Sequence, residues 1–188
     1  IDKSEPFVGI LLKYEGNKRK QDVLYKSTSY DWGKPAESPT ISFIGAGAFA
    51  QNSLLPNIKR SNLISVGTTQ GHTSANIATK WGFKRATTDP KSIISEDESN
   101  IIFIASRHHN HGELVCSGLS SKKSVFVEKP LCMTRDELEE IKRVYLENVE
   151  KNIQVHLMVG YNRRFSPCIV EIVSKLEKKL PISINYRI

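Results

Sequence analysis

The chain has 188 residues, of which 39% are hydrophobic and 25% are charged, a balance that allows a buried core and argues against disorder of the whole chain. Its net charge of +7 could suggest a nucleic-acid partner, but Lys and Arg are spread along the chain without a recognisable nucleic-acid-binding module, so none is expected. The apolar stretch 7–12 is too short to span a bilayer, no signal peptide is recognisable, and three unevenly spaced cysteines fit reduced thiols, so a cytoplasmic protein without a membrane partner is expected.

Short β-branched stretches alternate with helical stretches along the chain, as in a parallel sheet that is covered on both faces. Strands are predicted at 41–44, 62–67, 83–87, 100–105, 124–127 and 153–159, and helices at 49–58, 73–80, 110–120 and 134–148, with one more helix after residue 165. Asn110 and Thr134 are suited to cap the first turns of their helices, and Thr134 to Glu137 has the spacing of a capping box. The pattern predicts a Rossmann-type α/β fold, a doubly wound parallel sheet with helices on both faces.

Two of these helices carry apolar residues at helical spacing, and each is predicted to turn them towards the sheet. In the helix 110–120 they are Leu114, Val115, Gly118 and Leu119, and in the helix 134–148 they are Leu138, Ile141 and Tyr145.

The first predicted strand runs into the glycine turn Gly45-Ala46-Gly47-Ala48-Phe49-Ala50, which matches G-x-G-x-x-A. In dinucleotide-binding domains the first glycine makes the tight turn, the second lets the backbone approach the pyrophosphate, and the small last residue lets helix and strand pack closely. The start of the following helix favours negative charge. The turn therefore predicts a diphosphate site, although an ordinary strand–turn–helix corner that needs glycine for its backbone conformation would look the same.

Four strings at the ends of predicted strands resemble the glucose-fructose oxidoreductase, inositol dehydrogenase and rhizopine-catabolism (Gfo/Idh/MocA) family of NAD(P)-dependent oxidoreductases. They are the glycine turn, the stretch Ser106 to His111, Glu128-Lys129-Pro130, and Gly160-Tyr161-Asn162-Arg163-Arg164-Phe165-Ser166-Pro167. Each string follows the carboxyl end of a strand, which is where open α/β sheets bind their ligands. The chain departs from the family at Arg107, which stands where relatives usually carry a proline.

The resemblance implies that Lys129 is the catalytic residue, beside the nicotinamide and hydrogen-bonded to the substrate hydroxyl that is oxidised. From the residues alone, a surface lysine before a strand-ending proline is the alternative. Glu128 would help to orient the nicotinamide ribose, and Pro130 would follow a cis peptide, as in many relatives. The further cofactor contacts expected from the motifs are at Ser106, His109, Asn162 and Arg163, with Arg163 and Arg164 also candidates for anionic or hydroxyl-rich ligands.

The choice between NAD and NADP stays open. A domain that selects NAD often carries Asp or Glu about 20 residues beyond the glycines, yet no acidic residue occurs between Gly47 and Asp89. The second strand instead runs into Thr68 and Thr69, whose hydroxyls could contact a ribose or a 2′-phosphate.

A metal site is not expected, although His108, His109 and His111 lie close together in the sequence. Zinc needs three or four converging ligands, and the three cysteines, Cys116, Cys132 and Cys168, have no paired short spacing that would complete such a set.

Three segments are expected: residues 1–38 as the tail of a preceding domain and a linker, 39–166 as the dinucleotide-binding Rossmann domain, and 167–188 as the start of a truncated C-terminal substrate domain. Strands are predicted at 7–14 and 182–188. The resemblance extends to bidomain proteins in which a zinc-type alcohol dehydrogenase unit precedes this family's domain.

The leading functional interpretation is the NAD(P)-binding half of an oxidoreductase that acts on a hydroxyl of a sugar, cyclitol or nucleotide sugar. The full-length protein could form a homo-oligomer, and the 188 residues alone are expected to bind cofactor without catalysing turnover. The alternative is a non-catalytic dinucleotide-binding sensor or regulator of the same fold, since the family also includes a regulatory protein.

Overall fold

In a computed structural model, residues 39–175 are described, and their six strands form one parallel sheet. The strands are β1 (Ile41–Ile44), β2 (Leu63–Gly67), β3 (Arg85–Thr87), β4 (Ile101–Ile104), β5 (Ser124–Glu128) and β6 (Leu157–Gly160). They lie in the order β3-β2-β1-β4-β5-β6, which is the order of a doubly wound dinucleotide-binding sheet. The predicted Rossmann-type fold is therefore confirmed.

The helices are α1 (Gly71–Trp81), α2 (Pro90–Ser95), α3 (His111–Ser120), α4 (Arg135–Glu150) and α5 (Pro167–Lys175). The predicted capping box of α4 is confirmed, because Thr134 accepts from the Glu137 amide and the Glu137 carboxylate accepts from the Thr134 amide. The sequence analysis missed α2, although Asp89 caps it by accepting from the Lys91 amide and Pro90 occupies its first turn. Both are recognised helix-start signals.

The helix predicted at 49–58 is irregular: a π-helical turn at Ala50–Leu54 is followed by a 3₁₀ turn at Leu55–Asn57. Pro56 explains the change, since proline has no amide proton and its ring would clash with the carbonyl four residues earlier. The segment still buries Ala50 and Leu55, each 1% exposed.

The strands β3 and β6 begin later than predicted, because the residues before them form the C-terminal caps of the preceding helices. Ile153 donates to the Asn148 carbonyl at the end of α4, so β6 begins only at Leu157. Phe83 donates to the Ala78 carbonyl at the end of α1, where Gly82 has φ +83°, so β3 begins at Arg85. A left-handed residue after a helix is a common termination that favours glycine.

The sheet separates two apolar cores. Along β4, Ile102 and Ile104 belong to the core beneath α3 and α4. Ile101 and Phe103 pack on the opposite side of the sheet, with residues of α1 and of the irregular helical segment 50–57. On that second side, Phe43, Phe103 and Phe126 of three adjacent strands stack in register with 4.8 Å between neighbouring ring centroids. This alternation follows the two-residue period of a strand.

Helix packing agrees with the predicted apolar faces except at Leu138. Leu114, Val115, Gly118 and Leu119 are buried, as is Ile141 at 1% exposure, but Leu138 is 37% exposed. In α4 the buried face continues through Val144 rather than through Leu138, which lies in the first turn. Tyr145, the third predicted residue of this face, is partly buried against the same core. Within residues 39–175, no helix combines the length and the apolar character needed to cross a bilayer.

Candidate functional site

A cleft of about 630 Å³ lies beyond the carboxyl ends of β1, β4, β5 and β6. Its walls come from the turns that follow these four strands, and the lining residues are Gly47, Phe49, Ala50, Ala105, Ser106, His108, Glu128, Lys129, Gly160, Tyr161, Asn162, Arg163 and Arg164. The cleft includes the junction of β1 and β4, where the strand order reverses. Doubly wound sheets bind ligands at this reversal.

The two glycines of the first turn, Gly45 and Gly47, differ in how much room each leaves for a side chain. Gly45 has φ +83°, donates its amide to the Gly67 carbonyl at 2.7 Å, and leaves no room for a side chain, since a Cβ atom there would lie 2.5 Å from the Ala105 carbonyl oxygen. A Cβ atom on Gly47 would meet nothing within 4 Å and would enter the cleft. Backbone conformation and packing therefore explain Gly45, but they do not explain Gly47.

The rest of the glycine turn is divided between core and cleft. Ala46 and Ala50 are 4% and 1% exposed and belong to the core, as expected for the small residue that lets helix and strand pack. Ala48 is exposed, and Phe49 is 44% exposed and lines the cleft. The first backbone amides of a helix have no hydrogen-bond acceptor within it. The amides of this turn could therefore donate to the oxygens of a diphosphate.

Glu128 ends β5 and reaches over the neighbouring strand. A Cβ atom on Gly160 would lie 2.8 Å from the Glu128 Oε1 atom, so the glycine makes room for the carboxylate. The Asn162 Nδ2 atom donates to the same oxygen at 3.5 Å. Glu128 and Asn162, two of the predicted contacts, are thus brought together across β5 and β6.

Lys129 follows immediately, with a cis peptide bond to Pro130, as the resemblance implied. Its side chain is exposed to solvent and lines the cleft. It therefore lies at the carboxyl edge of the sheet, where a catalytic lysine would have to be.

The loop after β4 differs from expectation in two details. His108 lines the cleft, whereas the predicted contact His109 is exposed and lies outside the lining. Both residues lie in a 3₁₀ turn at His108–Asn110. Asn110 begins α3 without a capping hydrogen bond, because its Oδ1 atom accepts from the Ser106 hydroxyl at 2.7 Å instead.

His111 is fully buried beneath this loop. Its Nδ1 atom lies 2.7 Å from the Pro130 carbonyl oxygen and its Nε2 atom 3.2 Å from the Ser106 carbonyl oxygen. Both ring nitrogens are thereby engaged by the backbone. Among residues 39–175, no group of three or more His, Cys, Asp or Glu side chains has an arrangement that could hold a metal ion.

Thr68 and Thr69 lie at the carboxyl end of β2, next to β1, and neither lines the cleft. The Thr68 hydroxyl lies 2.9 Å from the Gln70 carbonyl and 2.8 Å from the Ser74 hydroxyl, so it shapes its own loop, whereas Thr69 is exposed. Asp89, the first acidic residue after the glycines, caps α2.

The segment after β6 supplies the last of the cleft's walls. A 3₁₀ helix at Asn162–Phe165 carries Arg163 and Arg164, and the Arg164 guanidinium lies 4.7 Å from the Phe165 ring centroid. Ala105 and Gly160 are lining residues that the sequence analysis did not single out as contacts. The signal available for both was their place at the end of a predicted strand.

Burial raises the pKa of the Cys116 and Cys132 thiols. Neither cysteine lines the cleft, and a raised pKa disfavours the thiolate form that reacts or binds metal.

Comparison with known proteins agrees with this geometry. Residues 40–161 match the family described as "Oxidoreductase family, NAD-binding Rossmann fold". Levoglucosan dehydrogenase of Pseudarthrobacter phenanthrenivorans is 35% identical over 96 residues, covering 51% of this chain and 23% of that protein. The scyllo-inositol 2-dehydrogenase (NAD(+)) of Bacillus subtilis is 25% identical over 131 residues, covering 70% and 37%. The chain thus spans well under half the length of these relatives.

Solved structures share the fold. Levoglucosan dehydrogenase in complex with NADH and L-sorbose superposes with a TM-score of 0.58 at 22% identity, covering 70% of this chain and 36% of that one. A point mutant of KijD10, a 3-ketoreductase from Actinomadura kijaniata, in complex with TDP-benzene and NADP, gives a TM-score of 0.64 at 17% identity, covering 73% of this chain and 41% of that one.

Proposed function

The chain belongs to the NAD-binding Rossmann-fold family of oxidoreductases, and on that premise we propose that it forms the cofactor-binding half of an enzyme that transfers hydride between NAD or NADP and a sugar or cyclitol hydroxyl. Relatives named as levoglucosan and inositol dehydrogenases support the substrate class. The cleft supports it too, since its aromatic and arginine side chains suit a hydroxyl-rich ligand.

The observation that carries the proposal is the open space at Gly47. Its lack of a side chain is not explained by φ, by packing or by any neighbouring atom within 4 Å, and the position faces the cleft. A backbone that must be approached closely by a ligand is the remaining physical reason for glycine. The residues of the turn Gly45 to Ala50 therefore fit a dinucleotide diphosphate, which they would hold through backbone amides.

The bound nicotinamide would supply the site that accepts or returns the hydride. The Lys129 ammonium would donate a hydrogen bond to the substrate hydroxyl and stabilise negative charge on that oxygen as its proton leaves. Glu128, fixed by Asn162 and by the space above Gly160, would orient the nicotinamide ribose. On the β4 loop we assign the expected cofactor contact to His108 rather than to His109, because His108 lines the cleft.

The end of β2 favours neither cofactor strongly. It presents the Thr69 hydroxyl to solvent, and the nearest acidic residue along the chain, Asp89, is committed to capping α2. Without a carboxylate to hold both ribose hydroxyls or to repel a 2′-phosphate, we expect measurable binding of both NADH and NADPH.

Isothermal titration with NADH and NADPH tests the proposal. Gly47→Val should weaken binding by roughly tenfold or more, because the added methyl groups would occupy the diphosphate's position. Without cofactor, the melting temperature should hardly change, because a Cβ atom at this position meets nothing. The matched control is Gly71→Ala, whose Cβ atom would meet only Thr88, at 3.7 Å, outside the cleft lining. Failure of both cofactors to bind at millimolar concentration, or equal binding by Gly47→Val, would refute the diphosphate site.

A further inference from the structure

His111 connects two of the turns that build the cleft, although its own ring does not reach the cleft. It is the first residue of α3 and is 0% exposed. One ring nitrogen faces the Pro130 carbonyl, in the turn after β5, and the other faces the Ser106 carbonyl, in the turn after β4. Lys129 directly precedes Pro130, and both Lys129 and Ser106 line the cleft.

The two contacts are not equivalent. A neutral imidazole has a single N–H group and can donate to only one of the two carbonyl oxygens. The Nδ1 contact with Pro130 is 2.7 Å long, and the Nε2 contact with Ser106 is 3.2 Å long. The shorter contact favours the tautomer with the proton on Nδ1, in which the ring donates to the turn that carries Lys129.

That turn continues past the paired part of the sheet into Leu131 and Cys132, which pack against the core. β5 pairs with its neighbours only as far as Glu128, so Lys129 and Pro130 lie beyond the hydrogen-bonded sheet. Proline also lacks an amide proton with which to anchor itself. The His111 ring instead holds the Pro130 carbonyl to the start of α3, a helix whose Val115 and Leu119 are 0% exposed. Its ring also packs edge-on against His108, a lining residue, at 5.6 Å between centroids.

We propose that His111 is a positioning residue: its Nδ1–H group donates to the Pro130 carbonyl and so fixes the Lys129 turn relative to the β4 loop. This role rests on the proposed function of Lys129. A small displacement of a group that must meet a reacting atom is costly for the reaction even when binding is intact. Loss of the His111 hydrogen bond should therefore lower turnover more than cofactor affinity.

The hydrogen bond can be tested without cofactor or substrate. In the chain labelled with ¹⁵N-histidine, long-range ¹H–¹⁵N correlation spectra distinguish a protonated from an unprotonated ring nitrogen. We expect the His111 Nδ1 atom to carry a proton in the folded protein. An unprotonated Nδ1 atom would overturn the assignment, because the ring would then have nothing to donate to Pro130.

Two amide variants of the full-length protein test the positioning role. In His111→Asn the side-chain amide nitrogen can take the place of Nδ1, whereas in His111→Gln it can take the place of Nε2. We expect His111→Gln to lower kcat roughly tenfold or more while the cofactor Kd stays within about threefold, and His111→Asn to recover most of that loss. Equal kcat values in the two variants, with similar melting temperatures, would show that His111 contributes only to core packing, and would refute the proposal.

The two levels of inference can fail separately. A wild-type protein that binds neither cofactor would contradict the proposed function, while the nitrogen spectrum would still decide whether His111 donates to Pro130. If His111→Gln proves too unstable to assay, the spectrum of the wild-type protein and the kcat of His111→Asn still decide. A loss of turnover in His111→Asn as large as that expected for His111→Gln would refute the Nδ1 role.

Discussion

The Glu96 carboxylate accepts hydrogen bonds from β1, β2 and β3. Its replacement by glutamine tests how much these hydrogen bonds contribute to the stability of the fold. The Glu96 Oε1 atom accepts from the Ser42 hydroxyl of β1, and Oε2 accepts from the Ser65 hydroxyl of β2 and from Arg85 of β3, the last two at 2.6 Å. Ser42 and Ser65 are 0% and 2% exposed. The two hydroxyls depend on this carboxylate because they are cut off from water.

The expected loss follows from the contacts. Glutamine keeps one acceptor oxygen and turns the other into an amide that cannot accept, so one buried hydroxyl loses a hydrogen bond to a charged group, which is worth about 1.5–3 kcal/mol. The Arg85 ion pair adds at most about 1 kcal/mol, since the Arg85 side chain is 44% exposed. Glu96→Gln should therefore lower the free energy of unfolding by about 1.5–4 kcal/mol at pH 7, as measured by urea denaturation.

Urea denaturation at low pH shows whether the charge on Glu96 stabilises or destabilises the folded protein. Burial by itself raises the pKa of Glu96, but the hydrogen bonds from Ser42, Ser65, Arg85 and Ser99 together outweigh it and leave the pKa below its usual value. A carboxyl with a lowered folded-state pKa stabilises the protein above its unfolded value of about 4.3, and this contribution is lost as the pH falls through the folded pKa. The difference between wild type and Glu96→Gln should therefore shrink below about pH 4.

Glu98→Gln is the matched control. Glu98 also pairs with Arg85, at 2.5 Å, but its side chain is 51% exposed, so its loss should cost less than about 1 kcal/mol. Equal stability of Glu96→Gln and wild type at pH 7 would refute the reasoning. So would a difference that stays constant from pH 7 to pH 3.

Three further predictions concern the cleft and α4. In the full-length protein, Lys129→Met should lower turnover roughly 100-fold or more with cofactor affinity changed only a few fold; an equal loss of cofactor affinity would make Lys129 an anchor instead. Gly160→Ala should displace the Glu128 carboxylate, whose Oε1 atom would lie 2.8 Å from the new methyl group, and weaken cofactor binding in calorimetry by roughly 3–10-fold; unchanged binding would show that Glu128 is not a contact. Thr134→Ala should cost about 1 kcal/mol in urea denaturation through loss of the capping box, and a change below about 0.3 kcal/mol would contradict it.

Local features of the sequence predicted local features of the structure. The capping box at Thr134 needs only a threonine and a glutamate three residues apart, and the tight turn at Gly45 needs only a residue that tolerates positive φ. The glycine turn and the string Glu128-Lys129 were likewise predicted at the ends of their strands, because about ten residues are enough to recognise a hydrophobic strand followed by a turn. The lysine's place in the cleft follows from that.

What the sequence did not show depends on contacts between distant segments. The Glu96–Ser42 pair spans 54 positions, and His111 reaches Pro130 across 19, so neither pairing leaves a periodic signal along the chain. The exchange of His109 for His108 at the cleft has a different cause. Adjacent residues point in different directions, and both lie in a 3₁₀ turn that leads into α3.

Contacts among the strand-ending turns hold the loops that line the cleft to one another. Gly45 donates to Gly67 and packs against Ala105, which ties the turn after β1 to β2 and β4. His111 ties the β4 loop to the β5 turn, and Glu128 meets Asn162 beyond β6. Each turn is thus held to a neighbour by a hydrogen bond or by close packing. A ligand that binds to loops already held in place has little main-chain ordering to drive, so mutations at Gly45 or His111 should weaken binding or catalysis without removing a side-chain contact to the ligand.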